Sequence, residues 1–131
     1  MKITQELLDN LTAQAKVNPR LRQNLDLRNS IEDQSQRMLN AIEPGSSLPI
    51  HRHRQSSETV VCLRGWPREI FYNDEGEVTG TYDLAPNSEC VALNIPKGQW
   101  HTVEVLESGT VIMEFKDGVY EPLQECDVLS V

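Results

Sequence analysis

The sequence predicts an all-β domain of short antiparallel strands, a sandwich or a small barrel, with one α-helix at its start. Three observations carry this. Runs rich in β-branched residues recur at short intervals, strong turn signals separate them, and only one stretch shows helical periodicity. A chain of 131 residues is one domain by length. The expected divisions are a helix over 1–17, an extended arm over 18–34, the β-barrel over 35–120 and a C-terminal tail over 121–131.

Residues 4–17 read as the helix. Thr4 can cap it, and Leu7, Leu8, Leu11 and Ala15 recur at helical spacing as a docking stripe. Pro19 ends it. Residues 18–34 are polar, with Asn24-Leu25-Asp26-Leu27 as a short strand or extended arm. Gln36–Ile42 is strand-like, and Ser57–Arg64, with Thr59, Val60, Val61, Cys62 and Leu63, is a β-rich run. Glu69–Tyr72 and Val78–Leu84 flank Asn73-Asp74-Glu75-Gly76, a hairpin signal. Glu89–Ile95 is a strand that Pro96 ends. His101–Leu106 and Thr110–Lys116 flank Glu107-Ser108-Gly109, which predicts a second hairpin.

Composition narrows the partners. A net charge of −8 argues against nucleic acid or an anionic membrane surface, because phosphate binding needs clustered Lys and Arg. No apolar run is long enough for a transmembrane helix. Met1–Glu6 lacks the apolar core of a secretory leader. Three cysteines, Cys62, Cys90 and Cys126, are odd in number and show no CxxC spacing. Free thiols in a reducing cytoplasm are the simplest account.

All three histidines fall in two short stretches. The first runs from Gly45 through His51-Arg52-His53 to Glu58 and Gly65. The second is Pro96-Lys97-Gly98-Gln99-Trp100-His101. Side chains alternate along a strand, so His51 and His53 point the same way. Two such imidazoles, a carboxylate after a short turn and a third imidazole can converge on one divalent ion. That ligand set suits Zn, Ni, Fe(II), Mn or Co.

The spacing G-x5-H-x-H-x4-E-x6-G, followed by P-x-G-x2-H, resembles the two motifs of the cupin superfamily. The first motif matches throughout. In the second, Cys90 stands where the family often has Gly and Val105 where it often has Asn; neither position is a ligand. The resemblance implies a cupin jelly-roll barrel and maps His51, His53, Glu58 and His101 onto the family's metal ligands. The wider chain is similar to the small bacterial WbuC-type cupin metalloproteins of surface-polysaccharide gene clusters. Gln36–Gly45, His51-Arg52-His53, Glu58–Gly65, Ile95-Pro96, Trp100–Val103 and Glu114–Tyr120 carry that likeness. It implies a chain continuing past Gly118-Val119-Tyr120 for longer than this one, which stops at Val131.

Other polar residues are weighed against plainer roles. Cys62 shares a face with Glu58 but lies too far along the strand to be a ligand, and is read as barrel packing. Glu114 is either an interior general base or, with Lys116, part of a solvent face whose opposite side carries Val111, Met113 and Phe115; the solvent face is the expectation. Arg37 is a pocket residue for an anionic substrate or a surface charge, the surface charge being expected. Arg52 and Arg54 alternate with the histidines and should point outward, and Trp100 should pack on the side opposite His101. The expected function is that of a cytoplasmic metal-binding cupin, a homodimer. Its small-molecule ligand would be a sugar or nucleotide-sugar, acted on by isomerase, epimerase or Fe-dependent oxygenase chemistry. A non-catalytic binding or sensing cupin is the alternative, because the fold hosts many functions. The dimer is expected from residues 18–42, which could add a strand to a neighbour's sheet edge, and from the resemblance.

Overall fold

The computed structural model describes residues 1–129. Helix α1 (Gln5–Val17) is followed by ten strands: β1 (Arg22–Asp26), β2 (Ser35–Ile42), β3 (Ile50–His51), β4 (Glu58–Arg64), β5 (Pro67–Tyr72), β6 (Val78–Asp83), β7 (Ala92–Ile95), β8 (Trp100–Val105), β9 (Thr110–Asp117) and β10 (Val128–Leu129). They form two five-stranded sheets, ordered β1-β2-β9-β4-β7 and β10-β3-β8-β5-β6. Every pairing between them is antiparallel.

The helix begins where the Thr4 hydroxyl accepts a hydrogen bond from the Leu7 amide at 3.2 Å, satisfying one of the free N–H groups of the first turn. Asn18 caps the other end, and Pro19 follows. Leu8, Leu11 and Ala15 pack on Leu39, Ala41 and Val111, which covers the outer face of the first sheet. Burying Leu8 and Leu11 contributes about 1.5–3 kcal/mol each.

The inner face of the same strands carries a second core. Ile42, Val60, Cys62 and Ile112 meet Leu84, Ile95 and Val105 there. Alternation therefore sends odd residues of β2 and β9 toward α1 and even residues into the barrel. Each strand also grades along its length: β9 runs inward from Thr110 and Ile112 to Glu114 and Lys116, and β4 runs back from Cys62 and Val60 to Glu58. The barrel is apolar at one end and polar at the other.

One expectation changes. Asn73–Gly76 joins a true β5–β6 hairpin, but Glu107-Ser108-Gly109 does not make one. There β8 pairs with β3 and β5 in the second sheet, whereas β9 pairs with β2 and β4 in the first. The turn is a corner between sheets, held by the Glu43 carboxylate, which accepts from Ser108 Oγ at 2.6 Å and the Gly109 amide at 2.7 Å. The 18–34 arm contains β1, which pairs with β2 of its own chain in register Leu25↔Leu39.

Candidate metal centre

Strand pairing places His51 directly opposite His101, so both imidazoles face the barrel interior. His53 lies two residues beyond His51, outside the strand, yet its ring centroid is 5.0 Å from that of His51 and 5.7 Å from that of His101. One ring nitrogen of each histidine lies within 4.8 Å of those of the other two.

Two tautomers are set by the backbone. His51 Nδ1 is 3.0 Å from the Pro49 carbonyl and His101 Nδ1 is 2.8 Å from the Gln99 carbonyl. A carbonyl only accepts, so each Nδ1 carries the proton and each Nε2 keeps a free lone pair. Burial is the main reason all three rings resist protonation. It lowers His51 to about 4 and His53 to about 3, with the His101 ring adding for the first and the Lys116 ammonium for the second. His101 is lowered as well, again by burial first.

Glu58 is 3% exposed. Its Oε2 lies 3.5 Å from His53 Nε2 and 3.5 Å from His101 Nε2. Donors sharing one ion at the usual ~2.0–2.2 Å stand roughly 3–3.5 Å apart. Glu58 Oε2 and His53 Nε2 are buried with no hydrogen-bond partner, and unpaired buried polar atoms are costly. Free lone pairs, neutral rings and orphaned donor atoms together fit a cation at this point. The closely spaced nitrogen cluster comprises the three histidines, and Glu58 approaches two of them.

Glu114 corrects the sequence reading. It faces the barrel, because its cross-strand partner on β4 is Val60 of the inner core. Burial and then the Glu58 charge push its carboxyl up to about 8, and the Asn40 amide donates to it at 3.4 Å. Lys116 also turns inward, opposite Glu58. Met113 and Val111 cover the α1 side instead. Arg37 stays on the outer side of β2, paired with Asp33 at 3.2 Å and donating to the Leu27 carbonyl. Cys62 packs in the inner core, and burial raises its thiol to about 11. Trp100 points away from His101, donates to Asp74 at 2.9 Å and carries the Arg52 guanidinium 4.3 Å above its ring.

Sequence reasoning missed Glu69. It is 2% exposed, with Oε2 unpartnered. Desolvation first, then the Glu58 and Glu114 charges, hold its carboxyl well above the ordinary range. Its signal was the alternation Pro67-Arg68-Glu69-Ile70-Phe71, in which Glu69 shares a face with Pro67 and Phe71.

A family model described as a domain of unknown function, DUF6016, matches residues 3–84, more than half the chain. The chain belongs to the DUF6016 family. The matched DUF6016 region contains His51, His53 and Glu58 and ends before His101. No curated protein sequence matches the chain.

Among solved structures, the capsular polysaccharide assembling protein CapF from Staphylococcus aureus aligns with TM-score 0.67 and 20% identity over 81% of this chain and 28% of that one. KdgF from Halomonas sp. aligns with TM-score 0.60 and 14% identity over 78% of this chain and 83% of that one. Oxalate decarboxylase from Bacillus subtilis, a protein with Mn(II) centres, aligns with TM-score 0.60 and 17% identity over 84% and 28%. These likenesses establish the cupin fold. The chain spans less than a third of CapF. Among the described residues no helix is long and apolar enough to cross a membrane.

Proposed function

We propose that this domain is a metal-dependent cupin whose His51, His53, Glu58 and His101 hold one divalent transition ion, with a small polar molecule as substrate. The observation that carries the reading is the convergence of three neutral imidazoles inside the barrel, two of them 3.5 Å from the orphaned Glu58 oxygen. A carboxylate among imidazoles makes the site harder than an all-histidine one, suiting Zn, Fe, Ni or Mn.

When bound, such an ion polarises a substrate carbonyl or, as Fe(II), supports oxygenase chemistry. The chain's own contribution is proton handling. Glu114 and Glu69 are interior acids distinct from the four candidate ligands, and both hold their protons more tightly than ordinary carboxyls. A group that gives and takes a proton near neutral pH is what isomerisation or epimerisation beside a carbonyl requires. These acids favour an enzyme over a binding or sensing cupin. Similarity to CapF, itself a capsular polysaccharide assembling protein, together with the WbuC-type sequence motifs, supports a sugar or nucleotide-sugar in bacterial surface-polysaccharide metabolism. The proposed setting is a cytoplasmic homodimer; a monomer mass in sedimentation across micromolar concentrations would exclude the dimer.

The test is elemental analysis of native protein, then a nucleotide-sugar binding and turnover screen with the identified metal restored. Stoichiometric metal and turnover that Glu114→Gln reduces are expected. Binding without turnover would select the binding or sensing role, and protein that takes up no metal would overturn the proposal.

A further inference from the structure

Two of the three histidines have a direct tether, and His53 does not. His51 and His101 each donate from Nδ1 to the carbonyl two residues before them. Among the described residues no comparable hydrogen bond orients the His53 ring, and β3 ends at His51. Something else must fix the segment that carries it.

The C-terminal segment supplies that hold. Asp127, 9% exposed, sits in a short 3-10 turn just before β10. Its carboxylate accepts from Arg54 Nε at 2.7 Å and lies 3.6 Å from Arg52 Nε. Its backbone carbonyl accepts from the Arg52 amide at 3.0 Å. The Cys126 carbonyl accepts from the Arg52 guanidinium at 3.2 Å. β10 then pairs with β3, Val128 opposite His51. The residues on both sides of His53 are thus gripped by one acid more than seventy positions away. Arg52 also lies on Trp100, the neighbour of His101. From the other side the His53 carbonyl accepts from the Gly98 amide at 2.9 Å.

We propose that Asp127 is a positioning residue for the metal centre: by holding Arg52 and Arg54 it aims the His53 imidazole at the ion. The proposal rests on the metal reading above. Partners that orient ligands typically matter 10–100-fold in metal affinity.

The experiment compares wild type, Asp127→Ala and Asp127→Asn as the full chain, with two readouts. In metal-free protein, histidine-ring NMR should show the His53 signals of Asp127→Ala shifted or broadened, with those of His51 and His101 unchanged. Asp127→Asn keeps an acceptor for Arg54 and should restore them in part. In Co(II) titrations, Asp127→Ala should bind at least about tenfold more weakly, with a visible spectrum resembling that of His53→Ala. If Asp127→Ala fails to fold, the pair Arg52→Gln and Arg54→Gln tests the same grip from its other end. A His53 signal and Co(II) spectrum identical to wild type in these variants would overturn the proposal. Should wild type take up no Co(II), the metal reading falls, while the metal-free NMR still decides whether Asp127 orders His53.

Discussion

Glu114 on β9 stands directly opposite Val60 on β4, and that pairing decides which way the carboxyl faces. Val60 is wholly buried in the inner core. Residues paired across antiparallel strands share a face, so Glu114 must enter the barrel beside Glu58. Burial leaves its charge less well solvated there, and the Glu58 carboxylate repels it.

Glu114→Gln should therefore change the pH dependence of stability in metal-free protein. The folded carboxyl is raised to about 8 from 4.5. Between those values the folded state holds a proton that the unfolded state has lost, so stability falls as pH rises. That contribution is complete below 4.5 and gone above about 8. A carboxamide has no such proton. The variant's melting temperature should gain on the wild type as pH climbs through that window and level off beyond it. Parallel curves for the two proteins would show that Glu114 is solvated.

Two of the three motif glycines, Gly65 and Gly98, should differ in what they tolerate. Gly65 has φ +88°, and a Cβ there would meet the Thr110 Cα at 2.5 Å. Gly98 has φ +78° with nothing within 4 Å of the added carbon. Gly98→Ala should cost only the left-handed backbone penalty, about 1–2 kcal/mol. Gly65→Ala adds a clash with main chain that cannot rotate away, for a total of about 3 kcal/mol or more. Urea unfolding of both variants measures this; equal losses would contradict the packing at the β4–β5 corner.

The histidines and most strands were legible because their signals are local. Alternation, β-branched runs and ligand spacing each occupy a few consecutive residues, and His51, His53 and His101 do converge. What was lost depends on partners far along the chain. Turn chemistry at Glu107–Gly109 reports a reversal, but β9 joins the first sheet by pairing with β2 and β4, well upstream. A charged residue in a strand, such as Glu69 or Glu114, reads as a solvent face, and only strand register reveals an interior acid. Asp127 shows nothing in its own neighbourhood, because its arginine partners lie more than seventy residues away.

Acid should destabilise the metal-free protein through its histidines. His51 and His53 fall from 6.5 to about 4 and about 3 in the folded state. Below 6.5 the unfolded chain gains protons that the folded one refuses, so stability rises with pH across that window and is lost as pH falls through it. Denaturant midpoints measured from pH 7 to 4 should decline, and His53→Ala should flatten part of the decline. A midpoint independent of pH in wild type would mean that the rings are solvated.

Metal removal gives the most direct check on the centre. An ion held by His51, His101 and Glu58 joins β3, β8 and β4, strands from both sheets, so it stabilises the folded state by mass action. At a hundred times Kd this is worth about 2.7 kcal/mol, or roughly 10 °C in melting temperature for a domain of this size. Chelation should lower the wild-type melting temperature by about that much. His51→Ala and His101→Ala should melt alike with and without chelator. Glu58→Gln should keep part of the sensitivity, since an amide oxygen still coordinates but lacks the charge. Affinity should also decline in acid, because protonating an imidazole removes its lone pair. Differential scanning calorimetry with and without chelator reads all four proteins. If wild type melts identically in both conditions and carries no metal, the three imidazoles and Glu58 are polar lining of a ligand pocket, and the binding reading replaces the enzyme.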